Sequence, residues 1–311
     1  MNLVDRILNG DTRAISRAMT LIENGDAQSR EILKGVFPHT GRGRVIGVTG
    51  APGSGKSTLV DKLAQAYRQQ RKSVGIVAVD PTSPFSGGAL LADRIRMSAL
   101  YNDEGVFIRS MATRGHLGGL SRTTQELVNV LDAAGKEVIL VETVGVGQDE
   151  IEIVRVADVT IVVLVPGMGD DIQALKAGIM EIGDLFAINK SDRPQAEKLE
   201  QELEVALSLA TRPDGWKPCI ARTIATQGEG ISNLLQQIKS FEQFRKSSPQ
   251  WAGQRRRNVE ESLINLLRES LLENTIQQNG VWDKIQAASR AVGDRKIDPY
   301  SAVEEILKNL K

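Results

Sequence analysis

The sequence predicts an α/β fold in which a mostly parallel β-sheet is covered by helices on both faces, with helical extensions before and after it. Three observations support this prediction. Apolar, β-branched runs alternate with amphipathic segments, a glycine-rich loop joins the first run to the first such segment, and both flanks show only helical periodicity. We therefore expect an N-terminal helical extension over 1–41, an α/β domain over 42–248 and a C-terminal helical region over 249–311.

Within the α/β domain, strands are expected where short apolar runs are rich in valine and isoleucine. Five runs have the composition of buried strands: 44–49, 74–79, 137–141, 159–165 and 184–188. Two weaker candidates lie at 105–109 and 217–224. Helices are predicted between them, near 57–70, 89–101, 121–134, 171–182, 195–210 and 231–244. Ligands of such sheets bind at the carboxyl ends of the strands, so chemistry is expected in the loops that follow them.

Composition excludes several classes of function. The chain of 311 residues has 39 basic and 39 acidic side chains, which gives no electrostatic reason to expect nucleic acid or an anionic membrane as partner. Its longest apolar run, 159–165, is far shorter than the ~20 residues of a membrane-spanning helix. Asp5 and Arg6 stand where a signal peptide would be apolar. Cys219 is the single cysteine, which excludes an internal disulfide and suits the reducing cytoplasm.

Both flanking regions carry apolar residues at helical spacing. In the first flank, Ile15, Met19 and Ile22 lie on one stripe, and Asp26 is the predicted N-cap of the next helix. In the second flank the apolar face consists of Val259, Leu263, Leu266, Leu267 and Leu271. Such a face predicts packing against another surface.

The loop after the first strand matches the phosphate-binding pattern GxxxxGK[ST] and lies between a strand and a helix, as that pattern requires. Its glycines let backbone N–H groups point at phosphate oxygens, and the following helix directs its positive end at the same anion. Lys56 can reach the β- and γ-phosphates, and the Ser57 hydroxyl can bind Mg²⁺. The predicted nucleotide-binding residues are Gly50, Ala51, Pro52, Gly53, Ser54, Gly55, Lys56, Ser57 and Thr58.

Two carboxylates follow strands next to this loop. Asp80 can bind the hydration shell of Mg²⁺, although a simple turn is the alternative. Glu142 is a predicted Mg²⁺ ligand, with a helix cap as the alternative, and the N–H of Gly145 is placed to sense a γ-phosphate. Val146 stands where Ras-like GTPases carry the glutamine that orients the attacking water, so slow unaided hydrolysis is predicted.

The segment after the strand 184–188 predicts recognition of guanine. Asp192 can accept hydrogen bonds from the ring N–H and the amino group of guanine, whereas adenine would leave this acceptor unpaired. Asn189 can bridge the base and the phosphate-loop backbone, and the stem of Lys190 can lie over the base.

A second base-binding segment is predicted at the end of the last candidate strand. It consists of Thr223, Ile224 and Ala225, and the N–H of Ala225 can meet the guanine carbonyl oxygen. Both segments favour GTP over ATP.

Together these motifs resemble the MeaB/ArgK/MMAA family of P-loop GTPases, chaperones of adenosylcobalamin-dependent methylmalonyl-CoA mutase. Some members carry an older description as kinases of an arginine/ornithine transport system. The resemblance spans about residues 40 to 235 and rests on the phosphate loop and on the segments 80–93, 114–119, 142–148, 166–178 and 189–192. The segment 142–148 discriminates best, because most GTPases carry aspartate where this chain has Glu142.

The resemblance implies roles for individual residues. Asp80, Asp93 and Glu142 would bind Mg²⁺ or act in switches, and Lys56, Glu142 and Asp93 would be the catalytic residues. The loop 166–178 would be a further switch that reports to the mutase. Ile224 departs from the family, which more often has serine there, but the expected base contact is a backbone N–H of the next residue.

The resemblance also implies partners: an adenosylcobalamin-dependent acyl-CoA mutase, methylmalonyl-CoA mutase first, and a second copy of the chain in a homodimer built by the C-terminal helices. The expected function is Mg²⁺-dependent hydrolysis of GTP to GDP that gates adenosylcobalamin loading or protection of the mutase.

Two alternative functions use the same fold. A nickel-inserting GTPase usually carries metal-binding motifs rich in histidine or cysteine, whereas this chain has two histidines and one cysteine. A P-loop kinase linked to amino-acid transport would need the phosphate loop but not the segment 189–192.

Overall fold

The computed structural model describes residues 2–80, 100–112, 119–143, 149–167, 179–210, 212–276 and 280–308. The chain divides into two compact units, Met1–Ala252 and Gly253–Lys311. The strands of the first unit are β1 (Arg44–Thr49), β2 (Val74–Asp80), β3 (Val106–Ala112), β4 (Val138–Glu142), β5 (Val159–Leu164), β6 (Leu185–Asn189) and β7 (Cys219–Thr223).

These strands form one sheet in the order β3-β2-β4-β1-β5-β6-β7, and every neighbouring pair is parallel. All seven predicted strands are present, including the two weaker candidates, so the prediction of an α/β fold with a parallel sheet is confirmed. The central strands are mostly apolar because helices cover both faces; all six residues of β5, for example, are buried. The carboxyl ends of β1 and β4 lie side by side at one edge of the sheet.

Helices surround the sheet. Those of the first unit are α1 (Leu3–Leu8), α2 (Thr12–Glu23), α3 (Ala27–Val36), α4 (Lys56–Gln69), α5 (Gly119–Ala133), α6 (Asp149–Val156), α7 (Ile179–Ile182), α8 (Ala196–Leu209) and α9 (Ile231–Ser247), with a 3-10 turn at Phe37–His39. Helix α10 (Pro249–Ile276) leads into the second unit, which also contains α11 (Val281–Gly293) and α12 (Pro299–Lys308). No helix in the described ranges is both long and apolar enough to cross a bilayer.

The helices agree with the sequence prediction at most positions. Asp26 caps α3 by accepting a hydrogen bond from the N–H of Gln28, as predicted. The helix predicted near 89–101 lies almost wholly outside the described residues, and α7 is the described end of the one predicted near 171–182. Helix α6 was not predicted, because in its eight residues Ile151 and Ile153 alternate with charged residues as they would in a strand.

Two large apolar clusters bury the two faces of the sheet. On one face, Leu59 and Leu63 of α4 pack in one cluster with Ile46 of β1, Leu140 of β4 and Phe241 of α9. The opposite cluster is built largely by the N-terminal helices and α5, and it includes Ile7, Ile15, Met19, Val77, Phe107, Leu127 and Ile139. The N-terminal helices therefore cover one face of the sheet and belong to the same compact unit.

An ion-pair cluster supports the amino ends of β5 and β6, opposite the predicted site. The Arg212 guanidinium lies 2.9 Å from Asp184 Oδ1 and 2.8 Å from Asp214 Oδ2. It also donates to the carbonyl of Gly183, while Asp184 Oδ2 accepts from the N–H of Thr160. Desolvation raises the pKa of Asp184 to about 6, even though Arg212 favours its charged form.

Replacing Arg212 with methionine is expected to lower the free energy of unfolding by about 3 kcal/mol at pH 7, because the buried Asp184 carboxylate loses its counter-ion. A raised pKa stabilises the fold below the unfolded value of 3.8, and this contribution is lost as the pH rises through about 6. The defect should therefore shrink at pH 5. Urea unfolding at both pH values measures it.

A double variant provides the control for this prediction. Adding Asp184→Asn to Arg212→Met removes the uncompensated charge, so the double variant should be more stable at pH 7 than the single one. Equal loss at both pH values, or an additive double variant, would contradict the prediction.

Candidate functional site

The phosphate loop adopts a conformation that only glycine tolerates at two positions. Gly50 has a φ of 139° and Gly55 a φ of 91°. A Cβ atom would lie 2.2 Å from the carbonyl oxygen of Val163 at Gly50, and 2.4 Å from Asn189 Nδ2 at Gly55. The first residue of the loop, Gly50, therefore packs directly against β5, and Gly55 packs against Asn189, the last residue of β6.

Lys56 begins α4 and lies inside this loop. Its side chain is buried, and Nζ donates hydrogen bonds to the carbonyl oxygens of Gly50 at 2.8 Å and Ala51 at 3.1 Å. The ammonium charge therefore stands at the concave side of the loop, where the N-terminus of a 14-residue helix adds its positive dipole. This arrangement suits an anionic phosphate chain.

Ser57 and Glu142 meet at the carboxyl edge of the sheet. The strand register places Val48 of β1 beside Glu142 of β4. The Ser57 hydroxyl donates to Glu142 Oε1 at 2.7 Å, and Glu142 is 7% exposed. A hydroxyl and a carboxylate are hard oxygen donors of the kind that Mg²⁺ prefers, so these residues fit a magnesium site.

The carboxyl end of β2 lies beside the same edge. Asp80 is the last residue of β2, and Ala78 two residues earlier pairs with Glu142. The backbone of Asp80 is therefore one strand away from the Ser57–Glu142 contact.

One carboxyl group of α4 has a shifted pKa. Burial raises the pKa of Asp61, although a hydrogen bond from Gln65 Nε2 at 2.8 Å favours its charged form.

A pair of threonine hydroxyls lies behind the loop. Thr143 Oγ1 donates to Thr49 Oγ1 at 2.9 Å, and both side chains are buried. Neither residue was predicted from the sequence to have a role of its own. The signals in the sequence are that both threonines stand at the carboxyl ends of apolar strands and that Thr143 lies in the segment 142–148.

Asn189 joins the base-recognition segments to the phosphate loop. Its Nδ2 donates to the carbonyl oxygen of Ser54 at 2.8 Å, and its Oδ1 accepts from Thr223 Oγ1 at 3.2 Å and from the N–H of Ala225 at 3.1 Å. Lys190, with a φ of 55°, donates from Nζ to the carbonyl oxygen of Gly53 at 2.8 Å. The two predicted guanine-binding segments therefore meet at the phosphate loop.

The loop after β7 is shaped by short-range contacts. The N–H of Ile224 donates to the carbonyl oxygen of Glu229, and Gly230 has a φ of 78° with the site of a Cβ only 2.0 Å from the Arg222 carbonyl oxygen. The N–H of Ala225 points at Asn189, so a contact with a guanine oxygen stays a prediction. Asp192, three residues after Asn189, is exposed.

Several predicted residues lie outside the described part of the chain. These are Asp93, Gly145 and Val146, together with the segments 81–92, 113–118, 147–148 and 168–178. The described residues nevertheless bring the phosphate loop, Glu142, Asn189, Lys190 and the segment 223–225 to one edge of the sheet.

Comparison with known proteins agrees with this geometry. Residues 15–280 match the family model described as methylmalonyl-CoA mutase-associated GTPase MeaB. A protein of Pyrococcus abyssi named as a GTPase is 46% identical over 311 residues, covering 99% of this chain and 96% of its own length. The GTPase ArgK of Escherichia coli is 32% identical over 97% of this chain and 94% of its own length.

Two further relatives extend the comparison. The methylmalonic aciduria type A homolog of mouse mitochondria is 32% identical over 99% of this chain and 80% of its own length. The crystal structure of a LAO/AO transport system kinase superposes with a TM-score of 0.72 at 26% identity, covering 99% of this chain and 96% of that one. With its phosphate loop and these relatives, the chain belongs to the MeaB family of P-loop GTPases and binds guanine nucleotide.

Proposed function

We propose that this GTPase uses Mg²⁺ to hydrolyse GTP to GDP and acts as a chaperone of an adenosylcobalamin-dependent acyl-CoA mutase, methylmalonyl-CoA mutase first. Nucleotide state would gate cofactor loading or protection. The observation that carries the nucleotide chemistry is the contact of Ser57 with Glu142 beside Lys56. The partner is supported by the family match and by the mouse relative.

The chemistry assigned to the described residues is electrostatic. Backbone N–H groups of the phosphate loop and the Lys56 ammonium would stabilise charge on the transferred phosphoryl group. Ser57 and Glu142 would hold the metal, and Asp80 and Asp93 are further proposed ligands. The bound metal would supply positive charge against the negative charge that develops on the phosphate oxygens.

The proposed base specificity rests on Asn189, Lys190 and Asp192. Asn189 and Lys190 both donate to carbonyl oxygens of the phosphate loop. A base held by these residues would therefore lie at a fixed distance from the phosphates. The proposed site of action is the cytoplasm, which suits a chain with one cysteine.

Titration of GDP, a non-hydrolysable GTP analogue and the corresponding ATP analogue, with and without purified methylmalonyl-CoA mutase, tests this proposal. We expect binding of guanine nucleotides alone and turnover that the mutase accelerates. If the mutase changes neither the affinity nor the rate, the mutase partnership is wrong. Omitting Mg²⁺ should abolish hydrolysis, and phosphate transfer to an acceptor faster than to water would favour the kinase alternative.

The proposed homodimer is supported by the second unit. Its helix α10 exposes Leu263, Leu267 and Leu271 at 61%, 59% and 58% of their surface, and a row of exposed leucines on one helix is typical of an interface. A second copy offers the same face, which is what a two-fold interface requires.

Replacing Leu263 and Leu267 with glutamate is expected to convert a dimer into a monomer, because four carboxylates would enter an apolar interface. Sedimentation velocity measures the mass. The matched control introduces the same charges at Val205 and Leu209 of α8, which are 61% and 80% exposed in the first unit, and should leave the mass unchanged. An unaltered mass in the α10 variant would rule out this interface.

A further inference from the structure

We infer that Thr49 and Thr143 act as a positioning pair, which holds the phosphate loop at a fixed spacing from the strand end that carries Glu142. The inference rests on GTP hydrolysis by this chain and is independent of the mutase partner. Neither threonine is expected to touch the nucleotide.

The two threonines occupy equivalent places on neighbouring strands. Thr49 is the last residue of β1 and precedes Gly50, whereas Thr143 directly follows Glu142 at the end of β4. The ladder between the strands continues to this level, because the N–H of Thr143 donates to the carbonyl oxygen of Val48 at 3.1 Å. The side-chain bond of 2.9 Å between the two hydroxyls adds a second connection at the same level.

The hydrogen bond between the hydroxyls of Thr49 and Thr143 does not follow from burial alone. Thr49 is 0% and Thr143 4% exposed, so neither hydroxyl can exchange its partner for bulk water. Three other serine and threonine hydroxyls of the first unit are buried without a hydrogen-bond partner in the described structure, those of Ser54, Ser110 and Thr160. Burial alone therefore does not produce such a pair, and losing one member would leave the other desolvated.

Two side-chain hydrogen bonds connect the ends of the phosphate loop to the end of β4, and the threonine pair forms one of them. At its start the loop is joined to β4 through Thr49 and Thr143, and at its end through Ser57 and Glu142. The two connections reach consecutive residues at the end of β4, since Glu142 is its last residue and Thr143 the next one. The second connection lies where the metal and phosphates are proposed to bind, so its bond must exchange during the nucleotide cycle. The first lies behind the loop and can keep the spacing while the second changes.

The expected effect is on turnover. Thr143→Val keeps the shape of the side chain and removes the donor, and it should lower kcat about tenfold while the affinity for GDP stays within about twofold. Thr49→Val should have the same effect. The double variant should be no slower than either single variant, because the two hydroxyls act as one unit.

A matched control is available in the neighbouring strand. Thr160 in β5 is 1% exposed and its hydroxyl has no hydrogen-bond partner in the described structure, so Thr160→Val should leave kcat unchanged. A second comparison is Thr223→Val, which removes a donor to Asn189 and should weaken GDP and GTP analogue alike.

The full chain is assayed for kcat and KM, for the affinity of GDP and of a non-hydrolysable GTP analogue by calorimetry, and for Tm. A lower kcat with unchanged GDP affinity and a non-additive double variant supports the pair. A lower Tm with wild-type kcat, an equal loss of GDP affinity and kcat, or additive single effects would each overturn it. The mutase is absent from every assay, so failure of the proposed partnership cannot imitate these results.

Discussion

Replacing Lys56 with methionine is expected to lower kcat for GTP hydrolysis about 10³-fold, because the charge that faces the transferred phosphoryl group is removed while the aliphatic stem remains. The structure places Nζ inside the phosphate loop, 2.8 Å from the carbonyl oxygen of Gly50. The buried stem is retained in the variant, so its Tm should stay close to the wild-type value. Single-turnover hydrolysis measures the loss.

Lys62 provides the matched control for this prediction. It lies on the same helix and its side chain is 28% exposed, and its Nζ is 3.9 Å from the nearest carboxylate, that of Asp61. Lys62→Met removes the same charge from α4 outside the loop and should keep kcat within about twofold, as screened surface charges do. A Lys56 variant with wild-type turnover would show that the lysine only shapes the loop.

The second large effect is expected at the base. Asp192→Asn should lower the preference for GTP over XTP about 10³-fold or more, because an amide offers guanine one accepting oxygen in place of two, whereas its NH₂ group can donate to the extra carbonyl group of xanthine. Competition between the two nucleotides for binding measures the preference. Gain of XTP binding distinguishes an altered site from an unfolded one.

The control for this prediction changes the same charge nearby. Glu197, at the start of α8, is 83% exposed in its side chain and lies 3.9 Å from Arg222. Glu197→Gln should leave the nucleotide preference unchanged, because an exposed pair of this kind contributes little. An Asp192 variant that retains its preference for GTP would mean that another group reads the guanine edge.

Much of the secondary structure could be predicted from local patterns in the sequence. Runs of β-branched residues specify strands buried on both faces, as in β5. The weaker candidates at 105–109 and 217–224 proved to be β3 and β7, the edge strands of the sheet, where arginines interrupt the apolar run. The phosphate loop could also be predicted from the sequence, because its glycines are required by positive φ angles and by close contacts with neighbouring residues. Helix α6 was missed, since eight residues with alternating apolar positions do not distinguish a helix from a strand.

Contacts between segments that are distant in the sequence could not be predicted in this way. The stripe of Ile15 and Met19 predicted a buried helix face, but only the structure shows that this face packs with Val77 and Phe107 of the sheet. A stripe states that a surface is buried and carries no information about its partner. The boundaries expected at 41 and 248 remain proposals, while the compact units found here meet between Ala252 and Gly253.

The sequence by itself determined the fold class, the phosphate loop and the family, because these depend on periodicity and on residue types within short segments. Only the tertiary structure decided how the segments meet. Asn189 connects the loop after β7 to the phosphate loop, and Thr143 pairs with Thr49 across 94 positions of the chain. Such bonds depend on strand order and register, which place distant residues a few ångströms apart and which no local pattern encodes.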